Sequence, residues 1–295
     1  MDFSQQIAKY VVTGLTIGAI YAIVAMGFNI IHNATGIVNF VQCEFISLGG
    51  MFMYTLVVLL KMKLIVSFFI STAGVALIGA LIEIGPIRHA RSKEIIILIF
   101  LTIGLSEVLR GTAQEVWGTD NVGVPAFSGE NPIRLLGGGT IVPQHIWVFA
   151  ITVLVMLMLH YFFKKTLMGK AMRATAVNRK AAALVGISVN RITLFSFAFS
   201  GALGAIAGII IAPISTTSYD TGIMLGLKGF AAAILGGYGN FAGAILGGII
   251  LGLLESLGAG LVSSQYKDAI AFFVLLLVLF LKPTGMMGYG EAKRV

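Results

Sequence analysis

Residues 11–31 read VVTGLTIGAIYAIVAMGFNII, 21 residues without a charge. About twenty apolar residues in a helix span the roughly 30 Å hydrocarbon core of a bilayer. The run is too long for a signal-peptide h-region, and Asp2 and Lys9 precede it. It is therefore expected to stay in place as an uncleaved insertion signal. Similar runs follow it. Phe45–Leu60, Leu64–Ile82 and Ile146–Phe163 are uncharged, and Ile95–Leu109 is interrupted by Glu107 alone. Ile192–Tyr219 is longer and holds Pro213 near its outer end. Gly229–Leu254 is broken by Gly236-Gly237-Tyr238-Gly239-Asn240, which favours a turn. A short helix is expected before that turn and a full span after it, to about Val262. Ala269–Leu281 closes the series, with Lys267 and Lys282 able to snorkel at its ends.

Composition agrees. Of 295 residues, 58% are hydrophobic and 11% charged, against about 25% charged in soluble domains. So few charges could not cover a water-soluble globule, which leaves an all-α polytopic membrane protein. The predicted fold has about eight transmembrane elements, some broken or re-entrant, in one membrane domain over residues 1–295. One cysteine, Cys43, excludes an internal disulfide and a four-thiolate zinc site. The net charge of +8 sits in loops between apolar runs, which points to membrane orientation and not to nucleic acid.

Lys164–Arg191 carries seven basic residues and no acid, so the connection 164–192 is predicted to be cytoplasmic. The connection 112–144 holds Glu115, Asp120, Glu130 and only Arg134, so it is predicted to face outside. Alternation then puts Arg88, Arg91, Lys93, Lys282, Lys293 and Arg294 inside, 13 of 20 basic residues in all. Lys61, Lys63 and the N-terminus fall outside. Trp117 and Trp147 bracket the outer connection as an interfacial aromatic belt would. Pro125, Pro132, Pro143 and Gly137–Gly139 make it more than a simple turn, either a solvated cap or a landing surface for an external partner.

Glycines recur at helix-packing spacing: Gly14 and Gly18; Gly201, Gly204 and Gly208; Gly243 and Gly247; Gly248 and Gly252. They predict a dense bundle and say nothing of cargo. Acids inside the runs are more informative, because a charged side chain at mid-bilayer costs about 2.5–3.5 kcal/mol on insertion scales. Glu107 has Arg110 one turn away, which predicts an internal pair. Glu255 shares a face with Gly248, Gly252, Ser256 and Ala259, so it packs against a helix or lines a cavity. Glu44 follows Asn39 and Gln42 near an expected membrane boundary. His160 lies at a basic boundary and reads as interfacial. No convincing metal-ligand spacing, nucleophile motif or Walker A sequence is present, so neither metal, cofactor nor ATP hydrolysis is assigned to this chain.

Two stretches carry a resemblance. Gly18-Ala-Ile-Tyr-Ala-Ile-Val-Ala-Met-Gly-Phe-Asn-Ile-Ile31 leads into Thr35-Gly-Ile-Val-Asn-Phe-Val-Gln-Cys-Glu-Phe45. Gly169-Lys-Ala-Met-Arg-Ala174 and Asn178–Ile187 lead into Phe199–Gly208. With Gly236–Gly248, Leu253–Gly260 and Lys282-Pro-Thr-Gly285, they resemble the LivH-type inner-membrane permeases of branched-chain amino-acid ABC transporters. Cys43 stands where that family usually has glycine, and Lys282 where it often has arginine.

The resemblance implies half of a translocation pathway in a bacterial inner membrane. It implies a homologous second permease subunit, two cytoplasmic ATPase subunits, a periplasmic substrate-binding protein and surrounding lipid. It places coupling to the ATPase in the cytoplasmic connection, at Gly169, Arg173, Ala181, Ala182, Gly186 and Ile187. The residues suit this independently: the alanines favour a short helix and Gly186 its C-terminal end. Candidates for the path are Asn39, Gln42, Glu44, Gly236, Gly237, Asn240 and Glu255, with Gly236–Asn240 the first candidate for backbone beside the pore. The implied cargo is leucine, isoleucine or valine. Another cargo such as urea or a short amide stays open, as does an ion-coupled secondary transporter using Glu107 or Glu255. An intramembrane enzyme has no paired catalytic groups to support it.

The charge asymmetry makes one test direct. Single cysteines at Ser128 and at Asn178, in a Cys43→Ser background, are expected to label from opposite sides of the membrane. Equal labelling of both by an impermeant reagent applied outside would overturn the orientation.

Overall fold

The computed structural model describes residues 3–92, 94–129, 131–134, 140–261 and 263–288. Lys93, Glu130, the Gly137–Gly139 triplet, Val262, Lys293 and Arg294 lie outside the described residues. The helices are α1 (Phe3–Thr35), α2 (Val41–Tyr54), α3 (Leu64–Ile82), α4 (Ile95–Trp117), α5 (Pro143–Lys165), α6 (Leu167–Val177), α7 (Arg179–Leu184), α8 (Val189–Ile211), α9 (Thr221–Gly236), α10 (Phe241–Leu261) and α11 (Lys267–Leu281). Wider π-type turns extend α2 through Thr55–Leu59 and α3 through Glu83–Ile87. Among the described residues eight segments are long and apolar enough to cross a membrane, and α9 is a shorter apolar helix between two of them. The all-α polytopic expectation is met. Two-residue strands, Ile133–Arg134 and Thr140–Ile141, pair within the outer connection.

Helix α1 is apolar on every side and is therefore built to be buried. Together with α2 and α8 it forms the centre: about two thirds or more of each best apolar window is covered by protein, against 17% for α4 and 6% for α11. Small residues set how closely these helices approach. A Cβ on Gly18 of α1 would stand 2.8 Å from the Gly248 carbonyl oxygen of α10, and one on Gly252 would meet the Gly18 backbone. Gly208 of α8 lies against the Ile46 carbonyl of α2 in the same way. With no water to expel between helices in lipid, such backbone contact is a main source of association. Cys43 of α2 fits because α9 presents Gly222 and Gly226 opposite it, leaving room for the thiol where the resembling family has glycine.

Two breaks interrupt the helical pattern. The first was not legible in the sequence. After α1 ends at Thr35, residues 36–40 run back into the bundle, so α2 starts deep inside: Gln42 lies against Gly27 of α1 and Ser200 of α8. Gly27 is eight residues before Thr35, about 12 Å along the helix. Non-helical backbone at that depth must find partners within the protein. Side chains supply them: Phe40 N–H donates to Thr102 Oγ1 (3.2 Å), Val41 N–H to Asn39 Oδ1 (3.3 Å) and Ile37 N–H to Thr35 Oγ1 (3.3 Å). Asn39, Gln42 and Glu44 are thus buried in the bundle, not at the boundary expected above.

The second break is the expected turn at Gly236–Asn240. It is closed from two sides. Met286 N–H donates to the Leu235 carbonyl and Met287 N–H to the Gly236 carbonyl, both at 2.9 Å. Asn29 and Asn33 of α1 bond the backbone of Gly239 and Asn240. Pro213, expected inside the sixth run, lies just past the end of α8, where its missing N–H breaks no helical bond.

Different segments gather at the two ends of the bundle. The turn 237–240, residues 283–288, the end of α1 and the basic α6–α7 connection gather at one end. At the other, Val122 pairs with Thr217 and Trp117 Nε1–H donates to Thr55 Oγ1 (2.7 Å).

The α1–α10 contact predicts a large response to a small change. Gly252→Val forces the two backbones apart, and overpacking of this kind costs about 1–3 kcal/mol. The detergent-purified variant is expected to unfold at a clearly lower temperature than wild type. An unchanged melting temperature would mean that the helices do not meet there.

Candidate functional site

The candidate path residues fall into three places. Asn39 lies on the α1–α2 break, and Gln42 and Glu44 lie in the first turn of α2, Gln42 toward α1 and α8 and Glu44 toward α4. Gln42 accepts a hydrogen bond through Oε1 from Ser200 Oγ. Among the described residues its Nε2 has no partner, and neither has Asn39 Nδ2. Buried donors without acceptors are uncommon and costly. Glu44 is held differently: its Oε1 accepts from Ser106 Oγ (2.8 Å) and from Arg110 Nη2 (2.8 Å) of α4. Arg110 also pairs with Glu107 at 3.1 Å. Glu107 and Arg110 do pair, but at the surface and not internally as expected, since the Glu107 side chain is 64% exposed, and a further partner of Arg110 is Glu44, 66 residues away.

Glu255 sits elsewhere, among α1, α9, α10 and α11. Tyr21 O–H donates to its Oε2 (2.7 Å) and Lys228 Nζ to its Oε1 (2.8 Å). Lys267 Nζ lies 3.3 Å away, and Lys228 reaches on to Asp268 at 2.6 Å. Two carboxylates and two ammonium groups balance. Such a closed set is a tie between helices. Lys228 stands one residue before the uncharged run that begins at Gly229. A lone lysine one residue before an apolar run, with a lone acid in the next run, was the available signal.

Gly236, Gly237 and Asn240 form the closed turn, at the same end of the bundle as the basic connection. Gly237 has φ +108°, which a side chain would strain. Asn240 is fully used: Oδ1 accepts from Gly243 N–H (3.1 Å) at the start of α10, and Nδ2 donates to the Met287 carbonyl (2.9 Å). Lys282 Nζ donates to the Met286 carbonyl (3.1 Å) and helps hold the tail over the turn.

The basic connection 164–192 folds into α6 and α7. Thr166 caps α6 by accepting from Gly169 N–H (3.0 Å), and Asn178 caps α7 by accepting from Ala181 N–H (3.0 Å). Gly169 lies tight against the end of α5. Gly186 ends the motif with φ +87°. Ala181 is exposed, Ile187 is half-buried and Arg173 is exposed. Ala182 departs from expectation. At 4% exposure it packs inward, so it anchors α7 and offers no docking face. Leu184 and Val185 do project, 89% and 78% exposed. A cavity of about 500 Å³ separates Asn178–Lys180 from the end of α1. Burial pushes the Arg179 guanidinium below its ordinary pKa, against the pull of Glu83. No group of three or more His, Cys, Asp or Glu arranged to hold a metal occurs among the described residues.

A family model described as the permease component of the branched-chain amino acid transport system matches residues 10–279. The chain belongs to that family. The permease is 32% identical to the high-affinity branched-chain amino acid transport system permease protein LivH of Salmonella typhimurium, over 96% of each chain. It is 31% identical to the corresponding protein BraD of Pseudomonas aeruginosa, over 97% of each. It also matches the ribose import permease protein RbsC of Haemophilus influenzae at 30% identity, over 48% of this chain and 45% of that one. It is a multi-pass inner-membrane permease, a transport subunit.

The balanced Glu255 set makes its removal asymmetric. Glu255→Leu leaves Lys228 buried beside Asp268 alone, and breaking a buried pair from one side costs about 3–5 kcal/mol. Little folded permease is expected, while Glu255→Gln, which still accepts from Tyr21, is expected to fold. The double change Glu255→Leu with Lys228→Met is expected to recover much of the loss. Yield and melting temperature in detergent check all three. A double variant no better than Glu255→Leu would sink the pairing argument.

Proposed function

We propose that the chain is one of the two membrane halves of an ATP-driven importer of branched-chain amino acids. It acts as one membrane unit, with residues 112–144 forming the outer connection and residues 164–192 coupling to a cytoplasmic ATPase. A homologous permease completes the path, two ATPase subunits drive it, and a periplasmic binding protein delivers cargo. The observation that carries this reading is the exposed Leu184–Val185 tip of α7. Two large apolar side chains stand out of a basic cytoplasmic surface on a helix capped at both ends. Apolar groups in that setting suit a groove on a partner, and the basic flanks suit acidic rims.

Coupling then follows mechanically. ATP-driven movement of the ATPase pair shifts α7, and α6 passes the shift to α5 through the Gly169 contact and to the end of α1. The α1–α2 break begins at that point. Its amide side chains Asn39 and Gln42 are suited to bond a cargo carboxylate, while the surrounding apolar walls suit an aliphatic side chain. Alternating access is a rigid-body change of this kind, with bistable packing converting a small shift at one end into opening at the other. Support for a branched-chain cargo comes from the relatives' names. The partial likeness to a ribose permease supports a membrane scaffold used for several cargoes, with much of the selection made by the external binding protein.

Because Ala182 points inward, the informative positions are the projecting ones. Leu184→Asp and Val185→Asp are expected to leave the permease inserted while the ATPase washes off the purified complex. Loss of a central apolar anchor costs about 2 kcal/mol, roughly thirtyfold in affinity. Leucine-stimulated ATP hydrolysis and leucine uptake fall together, whereas Lys164→Ala and Lys165→Ala, at the end of α5, have little effect. Full ATPase retention by both Asp variants, or uptake that persists without any ATPase subunit, would overturn the reading.

A further inference from the structure

Helix α4 is held by one narrow face. Leu98, Thr102, Ser106 and Ala113 are its buried residues, on the side toward α2. The opposite side carries Phe100, Gly104, Glu107 and Gly111, all exposed. Their spacing of four, three and four residues makes them one stripe along the helix.

Two independent features separate this stripe from a lipid-facing surface. The first is its glycines. The glycines within α1, α8, α9 and α10 meet neighbouring atoms of other helices or of the chain's own fold, most of them backbone. A Cβ on Gly104 or on Gly111 would have nothing within 4 Å. Glycine weakens a helix, and nothing in this chain's own packing requires it there.

The second feature is charge. Glu107 stands twelve residues after Ile95 and ten before Trp117, near the middle of the span. Its side chain is 64% exposed. Among the described residues the only cation paired with it is Arg110, which Glu44 shares. Two carboxylates on one guanidinium leave a net negative charge facing outward at the level of the bilayer centre. Lipid cannot solvate that charge, and intramembrane ionised groups face protein or water and pair with one another. A second copy of this chain meeting the stripe would bring another Glu107 and double the excess.

We propose that the Phe100–Gly104–Glu107–Gly111 face of α4 is the surface on which the second, non-identical permease subunit packs, and that a lysine or arginine on its opposing helix neutralises Glu107. The open glycines let that helix approach closely, as the in-chain glycines do elsewhere in the bundle. This inference rests on the paired-permease reading above.

The test uses the complete transporter, purified from its own membranes through a tag on this chain, in a Cys43→Ser background. Gly104→Cys and Gly111→Cys are expected to cross-link to the second permease subunit with a short bifunctional thiol–amine reagent. Leu157→Cys, on the exposed face of α5, is expected not to. Gly104→Leu and Glu107→Lys are expected to lower the recovered partner at least tenfold while this chain stays in the membrane. Replacing the partner's opposing cation by glutamate is expected to restore pairing to Glu107→Lys. Unchanged pairing with Gly104→Leu and Glu107→Lys, or a cross-link between two copies of this chain, overturns the surface while leaving the transporter reading intact. So does a Glu107→Gln variant with normal pairing but a raised KM for leucine, because the carboxylate then meets the cargo's ammonium group. A wild-type chain that recovers no permease at all overturns both.

Discussion

A charged group in a bilayer has to be answered by another charged or polar group, and Glu255 shows how this chain does it. One carboxylate collects Tyr21 from α1, Lys228 from α9 and Lys267 from α11, and Lys228 passes on to Asp268. Four helices are tied at one point. Helix α11 depends on it most, since little of its surface is covered by protein. Removing the charges together would cost less than removing one, which is why the set reads as a device for orientation and register and not as a source of net stability.

The rest of the bundle is assembled by close approach. Glycine pairs let α1 lie against α10 and α8 against α2, so backbones and not side chains form those interfaces. This leaves little free space around α1, and the chain uses the tightness to support a segment that lipid would reject. Residues 36–40 return into the bundle as non-helical backbone, and Thr102, Asn39 and Thr35 satisfy it. Among the described residues the amide donors of Asn39, on that segment, and of Gln42, just after it, have no partner. Buried polar side chains thus lie at and beside the point where the helical pattern is broken, a combination suited to alternating access because a break can rearrange without unwinding a span.

The basic end of the bundle connects these parts. The tail residues 283–288 clamp the α9–α10 turn, Asn29 and Asn33 tie the same turn to α1, and α7 stands across a cavity from the end of α1. A displacement of α7 therefore has a short route to the α1–α2 break. At the periphery the logic reverses. There α4 shows two glycines with open space beside them and a carboxylate that shares its arginine with Glu44, on the face proposed above for the second permease subunit.

Hydrophobic run length and charge asymmetry alone determined that this is a polytopic helical membrane protein, where its spans lie and which end is basic. Those properties depend on local composition averaged over about twenty residues. The turn at Gly236–Asn240 and the helix end at Gly186 were legible for the same reason, because turn and cap chemistry is local. Pairings across long separations were not. The sequence left Glu44 at a boundary, Glu255 without partners and Ala182 on a docking face. Only the tertiary structure brought Arg110 to Glu44, Lys228 to Glu255 and Ala182 against its own bundle. Which side of a helix meets which neighbour is decided by the packing of all the helices at once, and no window of sequence contains that information.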